Sequence, residues 1–220
     1  MSGGAEDASG GLTPASDDFR ESAASEDFRE SAARLVAAVE EALKGGVRAV
    51  QLREKDLPIR RLLALAQTLR ALTSRYGARL FINDRADVAL CVGADGVHLG
   101  GESIPPDAAR RAWGGKLLIG VSAHCAREAY AASDKGADFI TLGPVFKTPL
   151  KLQYGEPVGL EVISDVRADV KIPIFAIGGI KAENVPAVIQ HKADGVAVIS
   201  GILSAENVFN EAQKFMKLMK

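Results

Sequence analysis

Seven short apolar runs, rich in β-branched residues, recur along the chain and constrain its fold more than any other feature. Each run is continuous instead of alternating, which is typical of a strand buried on both faces of a parallel sheet. Helical patterns lie between most of the runs, so the sequence predicts repeated strand–helix units. The runs lie at 47–52, 79–82, 96–99, 117–121, 138–142, 172–177 and 195–199.

A glycine-containing phrase precedes four of these runs and indicates repeated units of one architecture. Glycine can end a helix in the left-handed conformation, after which the chain turns directly into the next strand. The phrase occurs as GGVRAV at 45–50, GADGVHL at 93–99, GADFITL at 136–142 and ADGVAVI at 193–199.

Two features favour a barrel over a doubly wound open sheet, although both folds alternate strands with helices. Polar residues follow nearly every strand, at the end where barrel active sites are built. No Gly-x-Gly-x-x-Gly phosphate loop follows the first run. A barrel of this kind needs eight strands, and the sequence offers seven. The predicted fold is therefore an α/β TIM (β/α)8 barrel whose first strand, expected before the helix at 31–44, is missing or replaced.

The first thirty residues differ from the rest and predict two regions. They are rich in Gly, Ser, Ala and acidic residues. The sequence DFRESAA occurs at 18–24 and is repeated at 27–33, which extends just past the end of this segment. Such a segment has too few large apolar residues to fold alone. The sequence therefore predicts a disordered acidic tail over 1–30 and a catalytic barrel domain over 31–220.

Composition excludes several classes of partner. The formal net charge of −1 gives no general attraction to nucleic acid or anionic lipid. No apolar run approaches the roughly 20 residues of a membrane span, and the first residues lack the pattern of a signal peptide. Cys91 and Cys125 lie far apart in the sequence, and we expect both to be reduced thiols. We expect a cytoplasmic protein that binds neither nucleic acid nor membranes.

Polar residues after the early strands suggest an anion site. Strand alternation would point Gln51, Arg53 and Lys55 the same way, as a receptor for a diphosphate-like anion, although a solvated strand end is the alternative. Asn83 and Asp84 after the next run form either a turn or an amide for phosphate with a carboxylate for Mg²⁺.

Further candidates follow the middle and late strands. Ser122 is either a phosphate contact or a helix cap, His124 can move protons near neutral pH, and His98 is expected to be a packed core residue. A long loop after the run at 138–142 offers three anion contacts, and glycines after the last two runs admit a phosphate or form ordinary tight turns. These loop and glycine residues are Lys147, Thr148, Lys151, Gly178, Gly179 and Gly201.

Seven motifs in this order resemble those of thiamine phosphate synthase, over about residues 35–205. They are QLREK at 51–55, FINDR at 81–85, GVHLG at 96–100, GVSAH at 120–124, LGPVFKT at 142–148, AIGGI at 176–180 and VIS at 198–200. The resemblance implies a (β/α)8 barrel that joins a hydroxymethylpyrimidine diphosphate to a thiazole phosphate and releases diphosphate. It also implies small phosphorylated substrates and leaves a homo-oligomer open.

The resemblance assigns roles to individual residues of this chain. It places Mg²⁺ on Asp84. The pyrimidine diphosphate would contact Gln51, Arg53, Lys55, Asn83, Ser122 and Lys151. The thiazole phosphate would contact Thr148, Gly179, Ile199 and Ser200.

Three departures from the family pattern leave two alternatives to the synthase open. The opening strand has no counterpart, Ser103 stands where the family has its other Mg²⁺ carboxylate, and Leu150 replaces a threonine of the thiazole phosphate loop. Ser103 followed by an apolar residue and proline is closer to the metal-independent thiazole tautomerase of the same superfamily, in which His124 would carry the proton. An inactive ligand-binding barrel is the third reading. The QLREK and NDR motifs favour the synthase, because they form the diphosphate side of the site.

Overall fold

In the computed structural model, which describes residues 26–148 and 156–219, seven parallel strands form one sheet in chain order. The strands are β1 (Ala49–Leu52), β2 (Arg79–Asn83), β3 (Gly96–Leu99), β4 (Leu118–Ala123), β5 (Phe139–Leu142), β6 (Ile174–Ile177) and β7 (Gly195–Ala197). The helices are α1 (Glu26–Lys44), α2 (Ile59–Arg75), α3 (Ala86–Val92), α4 (Pro106–Trp113), α5 (Ala126–Asp134), α6 (Glu161–Asp169), α7 (Val185–Gln190), α8 (Ser200–Leu203) and α9 (Val208–Leu218), with a 3₁₀ turn (Ala182–Asn184) before α7. The seven predicted strands and the TIM-like fold with one strand missing are confirmed.

Among the described residues, β1 and β7 are the edge strands of the sheet. The eighth strand of a complete barrel would lie between them. Helix α1 packs against α8 and α9, so the two ends of the described chain meet on this side. The approach is close, because a Cβ on Gly45 would lie 2.5 Å from Cβ of Ala212. Packing between the first and last helices thus joins the two ends of the sheet.

Helix α1 begins at Glu26, five residues before the predicted start of the barrel domain. Residues 1–25 lie outside the described residues. The division into a tail over 1–30 and a domain over 31–220 therefore stays a prediction. Within the described ranges, no helix combines the length and the apolar character that a bilayer crossing requires.

Aromatic rings fill the inner side of the sheet. The ring of Phe139 lies 5.0 Å from that of Phe81 and 5.7 Å from that of Phe175, measured between centroids. Glycines on the neighbouring strands make room for these rings, since a Cβ on Gly120 would lie 2.2 Å from Cζ of Phe139 and one on Gly96 would lie 2.8 Å from Cε1 of Phe81. Large and small residues therefore alternate across the interior, as close packing requires.

The outer side of the sheet packs against apolar helix faces. Helix α2 turns a stripe of four buried leucines to the sheet: Leu62, Leu65, Leu69 and Leu72. Burying a leucine side chain contributes roughly 1.5–3 kcal/mol, so such a stripe holds a helix on the sheet.

Among the residues that the structure describes, an arginine–aspartate clamp occurs three times at the amino-terminal ends of the strands. In the second copy, Asp138 accepts hydrogen bonds from Arg110 on α4 at 2.6 Å and from the Ile119 N–H at 2.7 Å. The Asp138 N–H donates to the Ile119 carbonyl, which ties β5 to the start of β4. In the first copy Asp95 accepts hydrogen bonds from Arg70 and from the Leu80 N–H. In the third copy Asp194 accepts them from Arg167 and from the Ile174 N–H. The clamps stabilise the end of the sheet opposite the predicted site.

Candidate active site

The residues predicted to form an anion receptor at the end of the first strand divide between strand and loop. Gln51 is opposite Phe81 in the β1–β2 register, so its side chain points to the inner face with the Phe81 ring. Strand β1 ends at Leu52, and alternation does not extend to Arg53 and Lys55, which lie exposed in the following loop. Both cations nevertheless stand at the carboxyl-terminal rim, where their charge is accessible to a ligand.

Asp84 is held at both carboxylate oxygens directly after β2. The side-chain amide of Asn83 donates to Oδ2 at 2.8 Å, and the Ser103 hydroxyl hydrogen-bonds Oδ1. Ser103 Oγ in turn accepts the Gly100 N–H at 2.7 Å. Asp84 also adopts a φ of 58°, a left-handed conformation that aspartate tolerates better than most residues. The predicted Asn83 and Asp84 thus meet Ser103, whose contact the sequence did not reveal.

The donor set around Asp84 fits a magnesium ion held mainly by substrate. Among the described residues, no group of three or more His, Cys, Asp and Glu side chains is arranged to hold a metal. Mg²⁺ commonly uses one or two carboxylates and fills its shell with water and phosphate oxygens. Each Asp84 oxygen has a second lone pair besides the one that accepts its hydrogen bond. A single carboxylate therefore fits a cation that arrives with phosphate oxygens.

Ser122 points to the inner face of β4 and belongs to a buried polar group. Its hydroxyl lies 3.0 Å from Nε2 of His98, and the Thr141 hydroxyl lies 3.2 Å from the same nitrogen. His98 is 3% exposed, which confirms that it is a packed core residue. The helix-cap alternative for Ser122 is wrong, because Cys125 occupies the cap position of α5.

His124 follows β4 and is oriented by Glu128, in the first turn of α5. The Glu128 carboxylate accepts the His124 backbone N–H at 2.8 Å and lies 3.2 Å from Nδ1 of the ring. Burial raises the pKa of Glu128, but the hydrogen bonds from His124 outweigh burial and bring the pKa below its ordinary value of 4.5. Glu128 was missed by the sequence analysis, although its spacing of four residues from His124 is the signal that could have found it.

The loops after β5 and β6 run side by side and bring two predicted thiazole phosphate residues together. The Val145 N–H donates to the Ile177 carbonyl at 2.9 Å, and the Phe146 N–H donates to the Gly178 carbonyl at 3.0 Å. A Cβ on Gly179, which has a φ of 67°, would lie 2.9 Å from the Lys147 carbonyl oxygen. Thr148, the next residue, is therefore close to Gly179.

The loop after β7 joins the same side of the rim. A Cβ on Gly201 would lie 3.0 Å from the Ile180 carbonyl oxygen, so the start of α8 is close to the loop after β6. Ile199 is 64% exposed and Ser200 is also exposed at this point. Lys151 and Leu150 lie outside the described residues.

Polar, cationic and glycine-rich groups at the carboxyl ends of a parallel (β/α) sheet define an enzyme of the TIM-barrel class that acts on phosphorylated small molecules. A family model described as thiamine monophosphate synthase matches residues 24–202. The chain belongs to this family, as the motifs predict.

Individual relatives agree with the family assignment. A Geobacter sulfurreducens protein, provisionally assigned as a thiamine-phosphate synthase, is 53% identical over 84% of this chain and 87% of its own length. The thiamine-phosphate synthase of Moorella thermoacetica is 45% identical over 82% of this chain and 86% of its own. The solved structure of a thiamine phosphate pyrophosphorylase from Pyrococcus furiosus has a TM-score of 0.78 and 41% identity, covering 84% of this chain and 88% of the other.

Proposed function

We propose that this protein is a thiamine phosphate synthase, a transferase that joins 4-amino-5-hydroxymethyl-2-methylpyrimidine diphosphate to thiazole phosphate and releases diphosphate. The observation that carries the proposal is the arrangement of polar, cationic and glycine-rich groups on one rim. Asn83 and Asp84 stand at the end of β2, beside the cationic loop after β1. Glycines and Thr148 stand separately, at the loops after β5 and β6. Two phosphorylated substrates need two such pockets.

The early-strand pocket supplies groups suited to a leaving diphosphate. Arg53 and Lys55 supply positive charge, and the side-chain amides of Gln51 and Asn83 supply hydrogen-bond donors. Ser122, whose hydroxyl is fixed by His98, adds a further contact. Negative charge grows on the diphosphate as its bond to the pyrimidine methylene breaks, and cations beside it stabilise that transition state.

Asp84 is the residue that would hold Mg²⁺ in this pocket. When bound, Mg²⁺ supplies positive charge to the diphosphate oxygens. The electron-rich aminopyrimidine spreads the charge left on its methylene carbon, so the protein needs no nucleophile of its own. The role of the chain is then to hold both substrates in line.

The late-strand pocket is suited to a monophosphate. The absence of a Cβ at Gly179 lets the loop after β5 pack closely against it, because the carbonyl oxygens of Phe146 and Lys147 lie 2.9 Å from the Cβ position, and this packing keeps Thr148 beside Gly179. Thr148 and Ser200 supply hydroxyl donors, and Ile199 offers an apolar contact for the thiazole. Lys151 stays a prediction for the diphosphate.

The wider setting is also part of the proposal. Small phosphorylated metabolites are the expected partners, without nucleic acid or membrane. We infer a cytoplasmic location from the solubility of such substrates, and we leave assembly into a homo-oligomer as a proposal without a stated size.

Thiazole tautomerase is the second candidate, and the pair of His124 and Glu128 favours it. A carboxylate 3.2 Å from Nδ1 orients the imidazole, and an oriented imidazole suits a proton carrier. A tautomerase would convert the thiazole phosphate tautomer without metal, and His124→Ala would abolish that conversion.

The deciding experiment supplies both phosphorylated substrates with Mg²⁺ and measures thiamine phosphate. We expect turnover by the unaltered protein, a loss of about 100-fold or more in kcat/KM for Arg53→Ala, and loss of activity in EDTA. Arg111→Ala is the matched control, since it removes an exposed ion pair on α4 and should leave turnover unchanged. Substrate-dependent thermal stabilisation without turnover would instead support an inactive binding barrel. Full activity in EDTA would contradict the role of Asp84.

A further inference from the structure

Ser103 occupies a position from which it can control Asp84. It lies nineteen residues further along the chain, yet its hydroxyl hydrogen-bonds Asp84 Oδ1 because β2 and β3 are adjacent. The Ser103 hydroxyl oxygen is itself fixed by the Gly100 N–H at 2.7 Å. The chain Gly100 N–H, Ser103 hydroxyl and Asp84 carboxylate is therefore a relay of hydrogen bonds anchored in backbone.

This relay determines where the Asp84 carboxylate points. Asp84 is exposed and follows the end of β2, so its side chain would otherwise have several rotamers available. Asn83 holds one oxygen and Ser103 the other, and the two contacts together remove that freedom. A hydroxyl adds a donor but no negative charge. Ser103 therefore orients the carboxylate without supplying the second anionic ligand that another carboxylate would supply.

We propose that Ser103 is a positioning residue that aims Asp84 at the divalent cation of this pocket. One carboxylate alone attracts Mg²⁺ weakly, because Mg²⁺ gives up its water reluctantly and needs several oxygen ligands. Diphosphate oxygens complete the shell. The inference rests on the proposed function in taking a diphosphate as the anion of this pocket.

The test measures how much Mg²⁺ improves binding of inorganic diphosphate. Calorimetric titrations of the full-length protein are made with the preformed Mg²⁺–diphosphate complex and with diphosphate in EDTA, and the ratio of the two dissociation constants is the readout. Ser103→Ala should reduce this ratio about tenfold, the usual scale for losing a partner of a metal-binding carboxylate, and leave binding in EDTA unchanged. Ser103→Thr keeps the hydroxyl and should restore the ratio.

A gain-of-function variant tests the same idea in the opposite direction. Ser103→Asp places a second carboxylate beside Asp84, and we expect Mg²⁺ alone to bind at least tenfold more tightly than to the unaltered protein. Ser164→Ala, which removes a hydroxyl on α6 that contacts the His191 carbonyl, is the control and should change neither quantity.

The outcomes separate this inference from the proposed function. If Ser103→Ala retains the full Mg²⁺-dependent gain, or if the unaltered protein has no such gain, Ser103 is not a positioning residue. If the unaltered protein has the gain and Ser103→Ala loses it, but no thiamine phosphate is formed from the two substrates, the positioning role stands and the proposed function fails. Binding in EDTA reports on folding of each variant, because it needs an intact pocket but no metal.

Discussion

The stability of the sheet is expected to depend on Asp138, which lies at the opposite end from the active site. Asp138→Ala removes the acceptor of two hydrogen bonds, from Arg110 at 2.6 Å and from the Ile119 N–H at 2.7 Å. Ile119 is fully buried, so its N–H loses an acceptor where water does not easily replace it. A buried donor left without a partner costs about 1–3 kcal/mol.

The Arg110 contact adds a smaller amount. A charge-assisted hydrogen bond contributes about 1.5–3 kcal/mol when buried, but the Asp138 side chain is 33% exposed, and solvent screening reduces the value to about 1 kcal/mol. We therefore expect Asp138→Ala to lower the free energy of unfolding by about 3 kcal/mol. For a domain of this size the Tm should fall by roughly 6–12 °C.

Urea unfolding followed by circular dichroism is the assay, with the midpoint compared at constant m-value. Arg111→Ala serves again as the control, because it breaks an exposed ion pair on the same helix as Arg110. Asp95→Ala and Asp194→Ala remove the equivalent acceptors in the other two clamps and should show losses of similar size. A midpoint for Asp138→Ala equal to that of Arg111→Ala would refute the reasoning.

Two further predictions concern the backbone and pH. Lys192 has a φ of 68°, and it stands where two of the repeated phrases before the strands have Gly93 and Gly136. Because glycine adopts this left-handed conformation without strain, Lys192→Gly should raise the free energy of unfolding by about 0.5–1 kcal/mol. Thermal denaturation measures this change, and a lower Tm would contradict the prediction. The pKa of Glu128 is lowered in the folded protein, so its contribution to stability is present above its ordinary value of 4.5 and is lost as pH falls through the folded-state value. Glu128→Gln should flatten the decline of Tm in that acidic range, and an unchanged pH profile would show that Glu128 does not cause it.

The sequence predicted the elements of the fold because strand burial has a local signature. A strand covered on both faces needs a continuous apolar run, and all seven runs became strands. The absence of an eighth run likewise predicted the sheet edges at β1 and β7 among the described residues. Site residues at strand ends were placed on one rim by the same argument, since parallel strands all end on the same side.

Contacts between residues distant in sequence were decided by register and helix orientation. Nothing local indicates that Ser103 meets Asp84, that His98 meets Ser122, or that Arg110 meets Asp138 twenty-eight residues later. Each contact exists because neighbouring strands bring particular residues level with one another. The chain alone therefore determined which elements form and which of their ends carry chemistry. Tertiary structure decided which side chains hold each other there, because hydrogen bonds depend on distances that are set only when the strands pair.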